Sequence, residues 1–187
     1  MANERKRKGP SRRTVRRRWL VGIVGGVIVA FVAVAYLGFG GVQNLYAALV
    51  ASATPPGTAM PDQGNRHIAT PETPHEPYNS DPPTSGPHLS YIAPWGIHTR
   101  PIPPELQVHN LEDGGVLVQY NCECPDLVDK LRAIVRKYDR SVILAPSPTM
   151  KSRIALTAWT RIERLDELDE KRVTRFIEAY RGIDHHR

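Results

Sequence analysis

Regular patterns of apolar and polar positions are concentrated in the second half of the chain. VLVQY at 116–120 is a β-rich run behind two glycines and predicts a strand. From Pro125 to Tyr138, apolar residues recur at steps of three and four, which predicts an amphipathic helix that begins at the proline. Two more β-rich runs predict strands at 141–145 and 154–159.

A final helix is predicted from about Leu165 to Tyr180, with Gly182 at the position of a helix C-cap. The order β-α-β-β-α predicts an α+β fold, in which a small β-sheet packs with two helices. Thirteen of the 17 prolines lie between Pro55 and Pro104, and proline is excluded from helix interiors and central strands. We therefore predict that a Pro-rich irregular segment precedes the sheet and wraps over it.

The first part of the chain follows a different pattern. The 24 residues at 19–42 carry no charge, and about 20 apolar residues are enough to cross a bilayer as a helix. Nine Lys/Arg and one Glu precede them, a charge of 9 − 1 = +8, and such a run stays on the cytoplasmic side. The predicted organisation is a basic cytoplasmic tail at 1–18, a transmembrane anchor at 19–42, a stalk at 43–63 and an extracytoplasmic domain at 64–187.

Cleavage of this segment is the competing interpretation, because Ala51-Ser52-Ala53 has the form of a signal peptidase site. A cleaved signal has an apolar core of about 7–15 residues, and this core is longer. We therefore expect an uncleaved signal-anchor that holds a single-pass protein in the cell membrane. The expected partners are membrane lipid, through the anchor, and a membrane or envelope protein.

Charge excludes a nucleic-acid partner. The net charge of +6 is set by the basic tail, since the other 169 residues hold 16 bases and 18 acids, a sum of −2. The cations at 132–140 have helical spacing, which is typical of a solvated helix face. No second basic patch is present in the sequence.

Metal ligands are the most prominent candidate chemistry. Imidazole, carboxylate and thiolate bind zinc and copper. His109 and Asp113 are four apart and share a face if they lie on a helical turn. Cys122 and Cys124 lie at the entrance to a predicted helix, where the thiol pKa is lowered. The candidate residues are His67, His88, His98, His109, Glu112, Asp113, Cys122 and Cys124.

Several of these residues belong to longer motifs, PPTSGPH at 82–88, HNLEDGG at 109–115 and ALTAW at 155–159. Over residues 64–182 the chain resembles the bacterial family called domain of unknown function 3105. The resemblance implies a membrane anchor followed by an extracytoplasmic domain, and it implies no activity. The family usually reads His-x-Leu-Glu-His-Gly, and Asp113 stands here in place of the second histidine.

Three functions remain open. The first is binding of copper or zinc through His88 and His109, with help from His67, Asp113 or the cysteine pair. The second is thiol–disulfide exchange by Cys122 and Cys124, and the third is a non-catalytic interaction module of the cell envelope. Each histidine alone is also explained as a hydrogen-bonding residue, and the cysteines as a structural disulfide. Hydrolase, kinase and dehydrogenase motifs are absent from the sequence.

Overall fold

The computed structural model describes residues 41–46 and 54–186. The predicted anchor at 19–42 lies outside these residues except for its last two, which are helical together with 43–46. Within the described ranges, no helix is long and apolar enough to cross a membrane. The chain divides into two units, and the second begins at Pro55.

The second unit is an α+β fold built on β-strands. Its three helices are α1 (Pro104–Glu112), α2 (Pro125–Val135) and α3 (Glu170–Tyr180). Its strands are β1 (Thr58–Ala59), β2 (His67–Ile68), β3 (His88–Leu89), β4 (Gly96–Ile97), β5 (Val116–Tyr120), β6 (Val142–Pro146), β7 (Ile154–Ala158) and β8 (Arg161–Leu165).

Six strands form the main sheet, in the order β1-β8-β7-β5-β6-β4. The central strand β5 pairs parallel with β6, reached through α2, and antiparallel with β7. Every residue of β5 is buried. Val116 and Val118 join the core that contains α2 and α3, whereas Leu117 joins the core that contains α1. Both faces of the sheet are therefore covered, which explains why this strand reads as an almost continuous apolar run.

The structure confirms the strand at 116–120 and the helix that begins at Pro125. The strands predicted at 141–145 and 154–159 are observed within one residue of their expected ends. Strand β1 comes from the segment predicted as a stalk and pairs with β8. Gly182 follows the last helix with a φ of 78°, as expected for the residue after a helix end.

The final helix begins five residues later than predicted, because Leu165 ends strand β8. Asp169 is its N-cap, and Oδ1 of Asp169 accepts hydrogen bonds from the backbone N–H groups of Lys171 and Arg172 at 3.0 and 3.1 Å. Sequence analysis missed β8 because its turn from β7 contains Thr160 at a φ of 56° and no glycine or asparagine. The element order from β5 onward is therefore β-α-β-β-β-α.

Helix α1 was not predicted either. Pro104 occupies the first helical turn, where a missing N–H costs nothing. The last six residues of the helix, Gln107 to Glu112, are all buried. A helix buried on every side has no polar stripe, so the periodicity that reveals a surface helix is absent.

Candidate metal centre

Strand pairing places His67 beside His88. Strands β2 and β3 are parallel, and these two residues are direct partners in the register. The backbone N–H of His88 donates to the carbonyl of Arg66 at 3.0 Å, and that of Gly86 donates to Gly64 at 2.8 Å. Paired residues project to the same face of a sheet, and the two ring centroids are 5.0 Å apart.

Helix α1 supplies the next two side chains. His109 and Glu112 are three residues apart in its last turn, so they share one face. Between them, Asn110 is fully buried and fixes the helix to the chain before β4. Its amide donates to the carbonyl of Ala93 and accepts from the Ala93 N–H, both at 2.9 Å. This pair of hydrogen bonds sets the position of the turn that carries His109 and Glu112.

Histidine nitrogens surround one oxygen atom, Oε2 of Glu112. Nε2 of His88 lies 2.9 Å from that oxygen, and Nε2 of His67 and Nδ1 of His109 each lie 3.9 Å from it. The other carboxylate oxygen of Glu112 accepts a hydrogen bond from Nδ2 of Asn65 at 2.8 Å. One potential ligand atom from each of the four residues lies within 4.8 Å of the others. We call these residues, His67, His88, His109 and Glu112, the inner group.

The hydrogen bonds of His88 define its tautomer. Nδ1 of His88 lies 2.8 Å from the carbonyl oxygen of Gly86, and a carbonyl only accepts, so Nδ1 carries a hydrogen. Nε2 therefore points at the carboxylate of Glu112. A second proton or a cation has to lie between that nitrogen and that oxygen. A backbone carbonyl that holds one imidazole nitrogen while the other faces the site is typical of metal-binding histidines.

Burial distinguishes the members of the inner group. The side chains of His88 and Glu112 are 0% and 1% exposed, whereas that of His67 is 48% exposed and opens the group to solvent. Burial lowers the pKa of His109, which favours the neutral imidazole that binds metals. Nδ1 of His109 is buried and has no hydrogen-bond partner among the described residues. This nitrogen is therefore free to bind an ion or a water molecule.

Asp113 and His186 lie beside the inner group. Oδ1 of Asp113 is 3.7 Å from Nε2 of His109. Nε2 of His186 is 3.5 Å from that same oxygen and 3.5 Å from Oε2 of Glu112. His109, Asp113 and His186 form a second set of potential ligands within 4.8 Å of one another, which we call the outer group. Sequence analysis missed His186, whose only signal is the pair of adjacent histidines behind the last helix.

Residues 71–186 match the sequence model of a family described as protein of unknown function (DUF3105). The match covers more than half of the 187 residues. The chain belongs to this family. The DUF3105 match confirms the resemblance in the motifs, and it includes His88, His109, Glu112 and His186 while it begins after His67. No curated protein and no solved structure matches the chain.

In this DUF3105 chain the two cysteines lie away from both groups. They form a disulfide after the C-terminal end of β5, whereas Glu112 precedes the N-terminal end of that strand. A five-residue strand spans about 16 Å. Cys122 and Cys124 belong to neither group and offer no thiolate in this state. His98 also lies outside both groups, with Nε2 2.7 Å from the carbonyl oxygen of Pro94.

Proposed function

We propose that this DUF3105 domain binds a transition-metal ion, zinc or copper, through the inner group. The observation that carries the proposal is the convergence of three imidazole nitrogens on Oε2 of Glu112. Imidazole is a ligand of both metals, and a carboxylate completes the set for a divalent ion. Because the cysteines are bonded to each other, the donor set favours Zn²⁺ or Cu²⁺ over Cu⁺. Between these two, Cu²⁺ is expected to bind more tightly.

The spacing of the inner group fits such an ion. A tetrahedral ion with nitrogen and oxygen ligands near 2.0–2.1 Å separates its ligand atoms by about 3.4 Å. The separations of the three nitrogens from Oε2 of Glu112 range from 2.9 to 3.9 Å, so small side-chain rotations suffice. A bound cation would also be a partner for Nδ1 of His109, which has no hydrogen bond among the described residues. It would balance the buried charge of Glu112 as well. These residues would hold the ion, and the ion would supply a positive centre open to solvent on the side of His67.

The proposal includes the location of the domain. We propose that residues 19–42 anchor the chain in the cell membrane and that the metal centre lies on the extracytoplasmic side. The support is the charge-free segment directly behind a basic run. Membrane lipid would be the partner of the anchor, and a membrane or envelope protein the partner of the domain.

Metal titration of the full-length chain tests the proposal. The chain, without a polyhistidine tag, is purified in detergent, stripped with a chelator, and titrated with Zn²⁺ and Cu²⁺ under native mass spectrometry. The wild type and the control variant His98→Ala should bind metal, and the double variant His88→Ala/His109→Ala should bind at least 100-fold more weakly. Circular dichroism of the double variant separates ligand loss from unfolding. A folded double variant with wild-type affinity would show that the inner group is not the site.

Thiol–disulfide exchange is the second candidate. The observation that favours it is the Cys122–Cys124 disulfide directly before α2, beside a cavity of about 690 Å³. Reaction of the full chain with reduced glutathione, followed by intact mass, tests this role. A disulfide that resists glutathione rules the role out. The third interpretation, a non-catalytic envelope module, stays a prediction from the sequence.

A further inference from the structure

The chain that follows the last helix is hydrogen-bonded to the last residue of α1 and to the turn directly after it. The backbone N–H of Gly182 donates to the carbonyl of Gly114 at 2.7 Å, and that of His185 donates to the carbonyl of Glu112 at 2.9 Å. The ring of His185 stacks on Trp159 with centroids 5.9 Å apart. These contacts hold the C-terminal residues beside the inner group.

The orientation of His186 is that of a metal ligand. Oδ1 of Asp184 accepts from the backbone N–H of His186 at 2.8 Å and lies 2.7 Å from its Nδ1. With its hydrogen on Nδ1, the imidazole presents the lone pair of Nε2 toward Asp113 and Glu112, each 3.5 Å away. A carboxylate behind one nitrogen of an imidazole fixes the tautomer and increases the basicity of the other nitrogen.

His109 presents its two nitrogens to different groups. Nδ1 faces Oε2 of Glu112 at 3.9 Å, and Nε2 faces Oδ1 of Asp113 at 3.7 Å. The lone-pair directions of the two nitrogens diverge, so one ion cannot bind both. The ligand atoms of the inner group lie within 4.8 Å of one another, and His186 does not belong to this group. One ion therefore does not account for all the ligands that converge here.

We propose that His109, Asp113 and His186 form a second metal subsite, which shares the imidazole of His109 with the inner group. This inference rests on the proposed function of the inner group. The second subsite takes the same class of ion, Zn²⁺ or Cu²⁺, through two imidazoles and one carboxylate. When both ions are bound, the His109 ring has released its N–H proton to solvent and binds one ion through each nitrogen.

Two of the three ligands of the second subsite are exposed to solvent. The side chains of Asp113 and His186 are 31% and 47% exposed, whereas Glu112 and His88 are almost fully buried. Three protein ligands leave a coordination position open to water or to an incoming ligand. The outer ion therefore exchanges more easily than the inner one, which has four ligands, two of them almost fully buried.

Stoichiometry distinguishes the two subsites. The full-length chain is titrated with Zn²⁺ under native mass spectrometry as the wild type, as His186→Gln and as the control His98→Gln, which lies outside both groups. The wild type and His98→Gln should bind two ions, the second more weakly. His186→Gln should retain the first ion with unchanged affinity and bind the second at least tenfold more weakly.

Each other outcome has a separate meaning. A wild type that binds no ion contradicts the proposed function itself. A wild type that binds a single ion, or two ions that are both unaffected by His186→Gln, overturns the second subsite. With Cu²⁺, a shared imidazole couples the two copper(II) spins, so the electron paramagnetic resonance signal should fall as the second ion binds. A signal that doubles instead would show that His109 is not shared.

Discussion

Nε2 of His88 lies 2.9 Å from Oε2 of Glu112, and both side chains are almost completely buried. Removing a carboxylate from water is costly unless it is paired and hydrogen-bonded. Asn65 holds one oxygen of Glu112, and histidine nitrogens surround the other. Glu112 therefore fixes a negative charge at the centre of the inner group. A cation bound at this position gains the most electrostatic stabilisation.

We expect Glu112→Gln to weaken metal binding by about 100-fold, because a neutral amide is a poor ligand for Zn²⁺ or Cu²⁺. Competition with a chromophoric chelator measures the affinity. The matched control is Glu105→Gln, on the same helix, where the carboxylate faces Nε2 of His75 at 3.5 Å and is 14% exposed. Equal affinity in the two variants would contradict a role for Glu112 as ligand.

Metal binding should also stabilise the fold. A ligand that binds only the folded state adds about 4 kcal/mol when its free concentration is 1,000 times its Kd. For a domain of this size we expect a rise of about 10 °C or more in Tm, measured by differential scanning calorimetry with and without Zn²⁺. A chelator should reverse the rise, and His109→Ala should show little of it. A rise that persists in His109→Ala would place the ion elsewhere.

Sequence analysis predicted well the elements that are buried on one face only and those that consist almost entirely of apolar residues. Helix α2 carries buried residues on one face, Val128, Leu131, Ile134 and Val135, so its period is readable. Strand β5 is a mostly apolar run that two glycines precede. Helix α1 and strand β8 carry neither signal, since one is buried all round and the other is interrupted by charges.

The chemistry of the candidate site and five of its six residues were among the candidates from the sequence, but their arrangement in space was not predictable. The motifs that contain His88 and His109 indicate metal ligands from residue type alone. The pairing of His67 with His88 depends on the register of two-residue strands separated by 19 residues of Pro-rich chain, and no local pattern encodes it. His186 joins the site through tertiary contacts of the C-terminal segment. The cysteines lie at the opposite end of β5, a separation that only the sheet reveals.

The contribution of His109 to the stability of the metal-free protein should fall as the pH falls below neutral. Burial lowers the pKa of His109 from its ordinary value of 6.5, so the unfolded chain takes up this proton more readily than the folded one. The contribution of His109 is therefore full above pH 6.5 and is lost as the pH falls through the folded-state pKa. Tm measured in chelator from pH 8 to pH 5 should decrease less in His109→Gln than in the wild type.

His98→Gln is the control for this pH dependence, because the ring of His98 lies outside both groups and faces the carbonyl oxygen of Pro94. The Asp184 carboxylate raises the pKa of His186, which acts in the opposite direction. The difference between His109→Gln and the wild type isolates His109, since both retain His186. Identical slopes in the two proteins would mean that His109 is solvated in the metal-free state.

The contact of the C-terminal segment with Gly114 is tested by a pair of glycine substitutions. Gly114 has a φ of 75°, and a Cβ there would lie 2.6 Å from the backbone nitrogen of Ile183. Gly182 has a φ of 78°, and a Cβ there would meet nothing within 4 Å. The positive φ alone costs about 1 kcal/mol in either variant. Gly114→Ala should therefore destabilise the fold clearly more than Gly182→Ala, as measured by urea unfolding of the full chain.

The same pair connects packing to the outer group. In Gly114→Ala the new methyl group pushes the backbone at Ile183 away, which breaks the hydrogen bond from Gly182 to the Gly114 carbonyl. Asp113 and His186 then separate, so the second Zn²⁺ should be lost while the first is retained. Equal unfolding free energies for the two variants, together with two bound ions in each, would show that the C-terminal segment does not rest on Gly114. The second ion would then bind without the contact that positions His186, which contradicts the outer group as its site.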